Sequence, residues 1–217
     1  MKDRIIELLR STNRAGMDDL IDYLDANGFF EAPASTKFHG AYKGGLAKHS
    51  LGVYDMFIKI LPSLIFEPTA AGQKTLLPTN IEHTAAIVCL LHDVCKVGQY
   101  LGTEKPYKWN KANPKGHALV SIDRIKKFIE LEPIEGMMIK FHMGIYMLNE
   151  FHASSKWQTG EYDLCGDHSK DGEMTKDESK EYRYGMSLKN AWFHNPICKI
   201  IYFADELATL GEKAEEN

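Results

Sequence analysis

The run Ala85-Ala86-Ile87-Val88-Cys89-Leu90-Leu91 constrains the fold more than any other stretch, because it offers no polar face. A helix that is apolar all round has to be surrounded by other elements. Asn80 precedes it as a capping residue, and His92-Asp93 follows it directly. The remaining helices each show a single apolar stripe. Residues 3–10 and 17–27 carry apolar positions at helical spacing, the second closing at Gly28. Leu46, Val53, Met56, Phe57 and Ile60 make a stripe that ends before Pro62. Helices are expected from about Lys115 to Glu130 and from near Pro133 to about Glu150. The last helix has Asn195 as cap and Pro196 in its first turn, with Ile197, Ile200, Ile201, Ala204 and Ala208 on its buried side. Residues 31–43 read as an extended connection, and 66–79 and 98–116 as loops. There is no repeat, heptad array or strand–helix alternation, so the expected class is all-α, a helical bundle. Residues 153–186 are polar and densely charged, an insertion readable as a lid, a short hairpin or a disordered excursion.

With 217 residues, 44% of them hydrophobic and 26% charged, the chain suits one buried core. A net charge of −4 gives no broad nucleic-acid footprint. The first ten residues mix charges among apolar side chains, unlike a signal peptide, and no stretch approaches the ~20 apolar residues of a membrane span. The expectation is a cytoplasmic protein without membrane contact. The four cysteines include no Cys-x-x-Cys pair, which argues against a zinc knuckle or a disulfide framework.

Chemistry enters at the doublet. A charged Asp93 at the end of the most buried helix is costly unless it is paired or bound to a cation; a His-Asp pair capping backbone groups is the plainer alternative. His49 falls on the core-facing stripe of its helix, behind Gly44-Gly45, which admit close approach of another backbone or a ligand. It reads either as a ligand or as a satisfied core histidine. Asp205 sits beside the stripe of the last helix and reads either as a ligand or as an exposed helix acid. Two histidines and two carboxylates from separate helices are the usual way a helical core builds an N/O metal site.

The ordered set Gly44-Gly45-Leu46-Ala47-Lys48-His49, Leu90-Leu91-His92-Asp93-Val94-Cys95-Lys96 and Ala204-Asp205-Glu206-Leu207 resembles the HD-domain superfamily of metal-dependent phosphohydrolases. The likeness covers roughly residues 37–210. It implies an HD-domain bundle as a single domain over 1–217, with 1–30 as an N-terminal helical extension and 153–186 as a variable insertion. It implies metal ligation by His49, His92, Asp93 and Asp205. Cys95 stands where the family commonly has Gly. His117 and His142 match the histidines of the family's two-metal branch, in which the doublet Asp bridges; otherwise His117 contacts substrate and His142 fills core space. One or two divalent ions are thus implied, with Fe, Mn, Co, Ni, Zn and Mg all compatible with such ligands.

The segment Ala32 to Ala41 entering the first motif resembles the HD domain of bacterial 3′–5′ exoribonuclease-like proteins. Those enzymes carry an oligonucleotide-binding domain ahead of it, for which this chain has no room, so no dedicated nucleic-acid-binding domain is expected. The implied activity is cleavage of a phosphoester in a nucleotide or short phosphodiester by a metal-bound hydroxide, with Asp93 and Lys96 catalytic. The alternative is a catalytically silent metal- or nucleotide-binding sensor. Lys96, on a continuing helix, would share a face with His92 and Asp93 and meet a substrate phosphate, or else simply complement the helix dipole. Lys108, Lys111 and Lys115 belong to a basic stretch running from Lys105 to Lys127, which includes Arg124 and has Tyr107 and Trp109 interleaved; they are expected to bind substrate, although a solvated loop explains the same composition. His39 and Trp157 are weaker candidates; His83, His152, His168 and His194 carry no assignment.

Overall fold

The apolar run from Ala85 to Leu91 lies at the centre of the molecule, with none of its residues more than 2% exposed. The computed structural model describes residues 1–64, 78, 80–114, 117–144 and 187–216. In chain order these form α1 (Lys2–Ser11), α2 (Met17–Ala26), α3 (Gly45–Ile60) with a 3-10 turn (Leu61–Leu64), and α4 (Ile81–Leu91) with a second 3-10 turn (Val94–Lys96). A two-stranded hairpin follows, β1 (Tyr100–Leu101) and β2 (Lys108–Trp109), then α5 (His117–Ile125) and α6 (Pro133–Phe141). Residues 187–194 are helical (α7), and α8 (Ile197–Glu216) closes the described chain. The protein is mostly helical.

Helix α4 is packed by α1, α3 and α6, and α8 lies chiefly along α3. One continuous core joins Ile5 and Leu9 of α1, Leu20 and Leu24 of α2, Val53 and Phe57 of α3, Ile87 and Leu90 of α4, and Ile201 of α8. Residues 1–30 therefore supply part of the main core. Each such side chain, fully withdrawn from water, contributes about 1.5–3 kcal/mol. Among the described residues no helix is long and apolar enough to cross a membrane.

Asn80 caps α4 as its sequence indicates, its side chain accepting from the His83 amide at 3.5 Å. Elsewhere the elements depart from the periodicity. The helix expected to reach Glu130 stops at Ile125, and the turn after it packs on Gly16 (φ 81°), where a Cβ would come within 2.0 Å of the Phe128 carbonyl oxygen. The helix expected to reach Glu150 ends at Phe141; Gly144 turns left-handed (φ 51°) against the Tyr202 ring, and residues from 145 to 186 lie outside the described chain. The expected loop at 98–116 contains the hairpin, held by the Tyr100–Trp109 pairing with rings 5.9 Å apart. Asn195 does not cap α8 with its side chain, which donates instead to Met137 Sδ at 3.4 Å.

Candidate metal centre

The ends of the helices, rather than their middles, carry most of the polar core. His92 and Asp93 follow α4 directly, His117 opens α5, His142 follows α6, while His49 lies in the second turn of α3 and Asp205 near the middle of α8. The described structure brings these six together. His49, His92, Asp93 and His142 are each 2% exposed or less. The imidazoles form a row, His49 to His92 at 5.5 Å, His92 to His142 at 4.7 Å and His142 to His117 at 5.3 Å between ring centroids.

The two oxygens of Asp93 face different histidines. Oδ2 lies 3.4 Å from His92 Nε2 and 3.9 Å from His49 Nε2, on the side where Asp205 Oδ1 approaches His49 Nε2 to 3.1 Å. Oδ1 lies 2.7 Å from His117 Nε2 and 3.7 Å from His142 Nε2. Despite its 2.7 Å contact Oδ1 has no aligned hydrogen bond, so the approach of His117 counts as charge proximity rather than as satisfaction of that oxygen.

Every Nδ1 in the row is held from behind. His92 Nδ1 donates to the Cys89 carbonyl at 2.9 Å and His142 Nδ1 to the Ile139 carbonyl at 2.7 Å, each three residues back. His117 Nδ1 lies 3.2 Å from Cys95 Sγ, and His49 Nδ1 3.1 Å from Glu212 Oε1. With Nδ1 as the donor, His92 and His142 keep a lone pair on Nε2. Both of those Nε2 atoms are buried without a hydrogen-bond partner among the described residues, as is Asp93 Oδ1. Orphaned polar atoms in a core cost several kcal/mol unless a partner compensates. The two Nε2 atoms flank the Asp93 carboxylate on both sides, and the His, Asp and Cys residues here include groups whose ligand atoms lie within 4.8 Å of one another and could hold a metal ion.

The electrostatics divide the histidines of the row. Burial, reinforced by His92, lowers the His142 pKa to about 3, leaving a neutral ring able to ligate. Burial also opposes the charged form of His49, but hydrogen bonds to Asp205 and Glu212 outweigh it and raise its pKa to about 9. The same contest at His117 is won by Cys95 and Asp93, holding it well above the ordinary value. Burial would raise Asp93, yet Lys96 and the neighbouring histidines hold it well below the carboxylate range. Lys96 does not lie on a continuing helix, since α4 ends at Leu91; the second 3-10 turn carries its Nζ to 2.6 Å from Asp93 Oδ2.

Among the expected substrate-binding residues, Lys96 borders the cluster. Lys108 and Lys111 are exposed on β2 and the turn after it, with no ion pair to the six among the described residues, and Lys115 lies outside them. Arg124 is not a free cation for substrate: it donates to the Val94 and Val97 carbonyls, both at 2.9 Å, and to Asn113 Oδ1 at 2.8 Å, bracing the turn that carries Cys95 and Lys96. Buried Ser121 accepts from the Cys95 amide at 3.0 Å. His39 stands over His49 with ring centroids 5.3 Å apart. His83 pairs with Asn80, and His194 packs on Phe193. Trp157, His152 and His168 lie outside the described residues. Glu212 and Ser121, which no motif marks, join Cys95 and Arg124 in the outer layer of the site.

No protein-family profile, curated protein or solved structure matches the chain.

Proposed function

We propose that this chain is a metal-dependent phosphohydrolase of the HD-domain type, acting on a phosphoester of a nucleotide or short phosphodiester. The observation that carries the reading is the divided carboxylate of Asp93, one oxygen toward His49 and His92, the other toward His117 and His142. Such a division suits two ions, one held by His49, His92, Asp93 and Asp205, the other by Asp93, His117 and His142. A divalent ion, when bound, supplies an activated water and neutralises charge on a phosphoryl group.

The chain's own residues then have distinct tasks. Nδ1 hydrogen bonds fix His92 and His142 so that Nε2 faces the centre. Asp205, on the His49 side, adds a second carboxylate, which favours a hard, oxygen-seeking ion. Burial pushes Lys96 toward its neutral form, but Asp93 prevails and keeps it protonated, so a cationic donor stands beside the centre for a phosphate oxygen. Lys96 also lines a cavity of about 400 Å³ bounded by Asn27, Glu31, Lys43, Tyr100 and Tyr107. Cavities that hold small ligands begin at about 300 Å³. Glu31 and Lys43 pair with one another at 2.6 Å, so their charges cancel at its rim. None of the six clustered residues lines this cavity, so Lys96 alone joins it to the centre, and a small ester would lie here with its phosphate at Lys96.

The test is turnover of an aryl phosphomonoester and an aryl phosphodiester with Mn²⁺, Co²⁺, Ni²⁺ or Mg²⁺, set beside metal content. Turnover that disappears in Asp93→Ala with the helical circular dichroism retained is expected. Metal binding with no turnover of either ester under any of the four ions would replace the enzyme with the silent sensor.

A further inference from the structure

We infer that Glu212 is a positioning residue of the metal centre, holding the Nδ1 proton of His49 so that Nε2 is the atom presented to the ion. The inference rests on the reading of His49 as a ligand. It concerns a residue outside every motif in the sequence.

Glu212 follows Asp205 by about two turns of α8, so the two carboxylates lie on one face of that helix. They bracket a single buried imidazole: Asp205 Oδ1 is 3.1 Å from His49 Nε2, and Glu212 Oε1 is 3.1 Å from His49 Nδ1. Room for the longer side chain comes from small residues. A Cβ on Gly52, one turn beyond His49 on α3, would stand 3.7 Å from both Glu212 Oε1 and the Ala208 Cβ. Glu212 is 7% exposed, and its second oxygen is buried with no hydrogen-bond partner among the described residues. A carboxylate withdrawn from water this far is a liability in a helix that only needs to pack. The contact to His49 gives it a purpose.

The other three rings of the row lean on two backbone carbonyls and the sulfur of Cys95. Only His49 has a carboxylate behind it among the described residues, and a charged acceptor makes the stronger bond and the more basic ligand nitrogen. The same neighbourhood admits another assignment, because His39, His49 and Glu212 also bring three ligand atoms within 4.8 Å of one another. A separate ion there would require a lone pair on His49 Nδ1. With Nε2 already ligating, that would make the ring an imidazolate bridge, whereas a neutral ring ligating through Nε2 carries its proton on Nδ1 and donates it. The positioning role needs only the neutral ring.

The full-length protein is loaded with Zn²⁺ as the probe. Zinc affinity is measured by chelator competition, and the His49 ring nitrogens are observed by long-range ¹H–¹⁵N correlation. In the wild type, His49 is expected to carry its proton on Nδ1 in the zinc-loaded state. Glu212→Ala is expected to weaken the zinc on the His49 side about 10–100-fold and to shift the His49 ¹⁵N resonances, leaving those of His142 in place. Glu212→Gln keeps the shape and an acceptor oxygen but not the charge; it should lose less affinity than Glu212→Ala and serves if the alanine variant fails to fold. Unchanged affinity and unchanged His49 resonances in both variants would overturn the inference. So would an additional zinc lost together in Glu212→Ala and His39→Ala. Absence of phosphoester turnover would defeat the enzyme reading alone, since both readouts here are of binding; absence of zinc binding by the wild type would defeat this one as well.

Discussion

A Cβ on Gly45 would stand 2.0 Å from the carbonyl oxygen of Gly40, so the segment carrying His39 lies directly on the first turn of α3, one turn before His49. That oxygen already accepts from the Ala34 amide at 2.8 Å, which limits its freedom to move aside. The Gly44-Gly45 pair thus admits backbone, and by doing so sets His39 over His49. Gly45→Ala should destabilise the protein by about 1–3 kcal/mol through overpacking. Gly136→Ala, in α6 with nothing within 4 Å of the added carbon, should stabilise it by about 0.5–1 kcal/mol. Urea midpoints of the two variants decide this; equal shifts of the same sign would contradict it.

Lys96 and a metal compete for the same carboxylate, since Nζ is 2.6 Å from Asp93 Oδ2. Lys96→Met removes a positive charge beside the ion and should bind Mn²⁺ more tightly than the wild type. Its turnover should nevertheless fall about 100-fold or more, the scale of losing one donor to developing charge. Tighter metal binding with full activity would remove Lys96 from substrate contact.

The two halves of the site should separate. His142→Ala is expected to reduce the metal content from two ions per chain to one. Cys95→Ala, which leaves His117 Nδ1 without its 3.2 Å partner, should weaken the second ion about 10-fold and spare the first. Elemental analysis and metal titration measure both. A single ion in the wild type, unaffected by either change, rules out the dinuclear site.

At the opposite end of α6 from His142, Glu135 is wholly buried and accepts from Arg14 Nη2 at 2.6 Å and from the Glu132 amide at 2.8 Å. Burial outweighs these partners and lifts its pKa above the ordinary glutamate range. A raised folded-state value means that the fold favours the protonated carboxyl; that contribution is present below the unfolded pKa and is lost as pH rises through the folded one. Arg14→Ala should therefore cost about 3 kcal/mol near neutral pH, where it leaves a buried charge unpaired. The cost should shrink on acidification as Glu135 takes up its proton. Thermal melts of both proteins between neutral and acidic pH test the trend, and a cost that grows toward low pH would refute it.

Chain order and periodicity determined a good deal by themselves. Helical stripes are local, so the residues that bury α3, α4 and α8 can be picked out without knowing their partners, and a His or Asp at the edge of such a stripe is marked by the cost of burying it. That is why His49, His92, Asp93 and Asp205 stand out as a set in the sequence, and why the structure's gathering of them with His117 and His142 is intelligible. Tertiary contact decided the rest. Helices α5 and α6 end where Gly16 and Gly144 meet Phe128 and Tyr202, neighbours distant in the chain. Lysine composition could not separate Lys96, brought to Asp93 by a 3-10 turn, from Lys108 and Lys111 on an exposed hairpin, nor show that Arg124 braces a turn. Glu212 has the surroundings of any helix acid until α8 folds against α3. Its burial and its contact with His49 arise from the packing of two remote helices, and no local pattern records them.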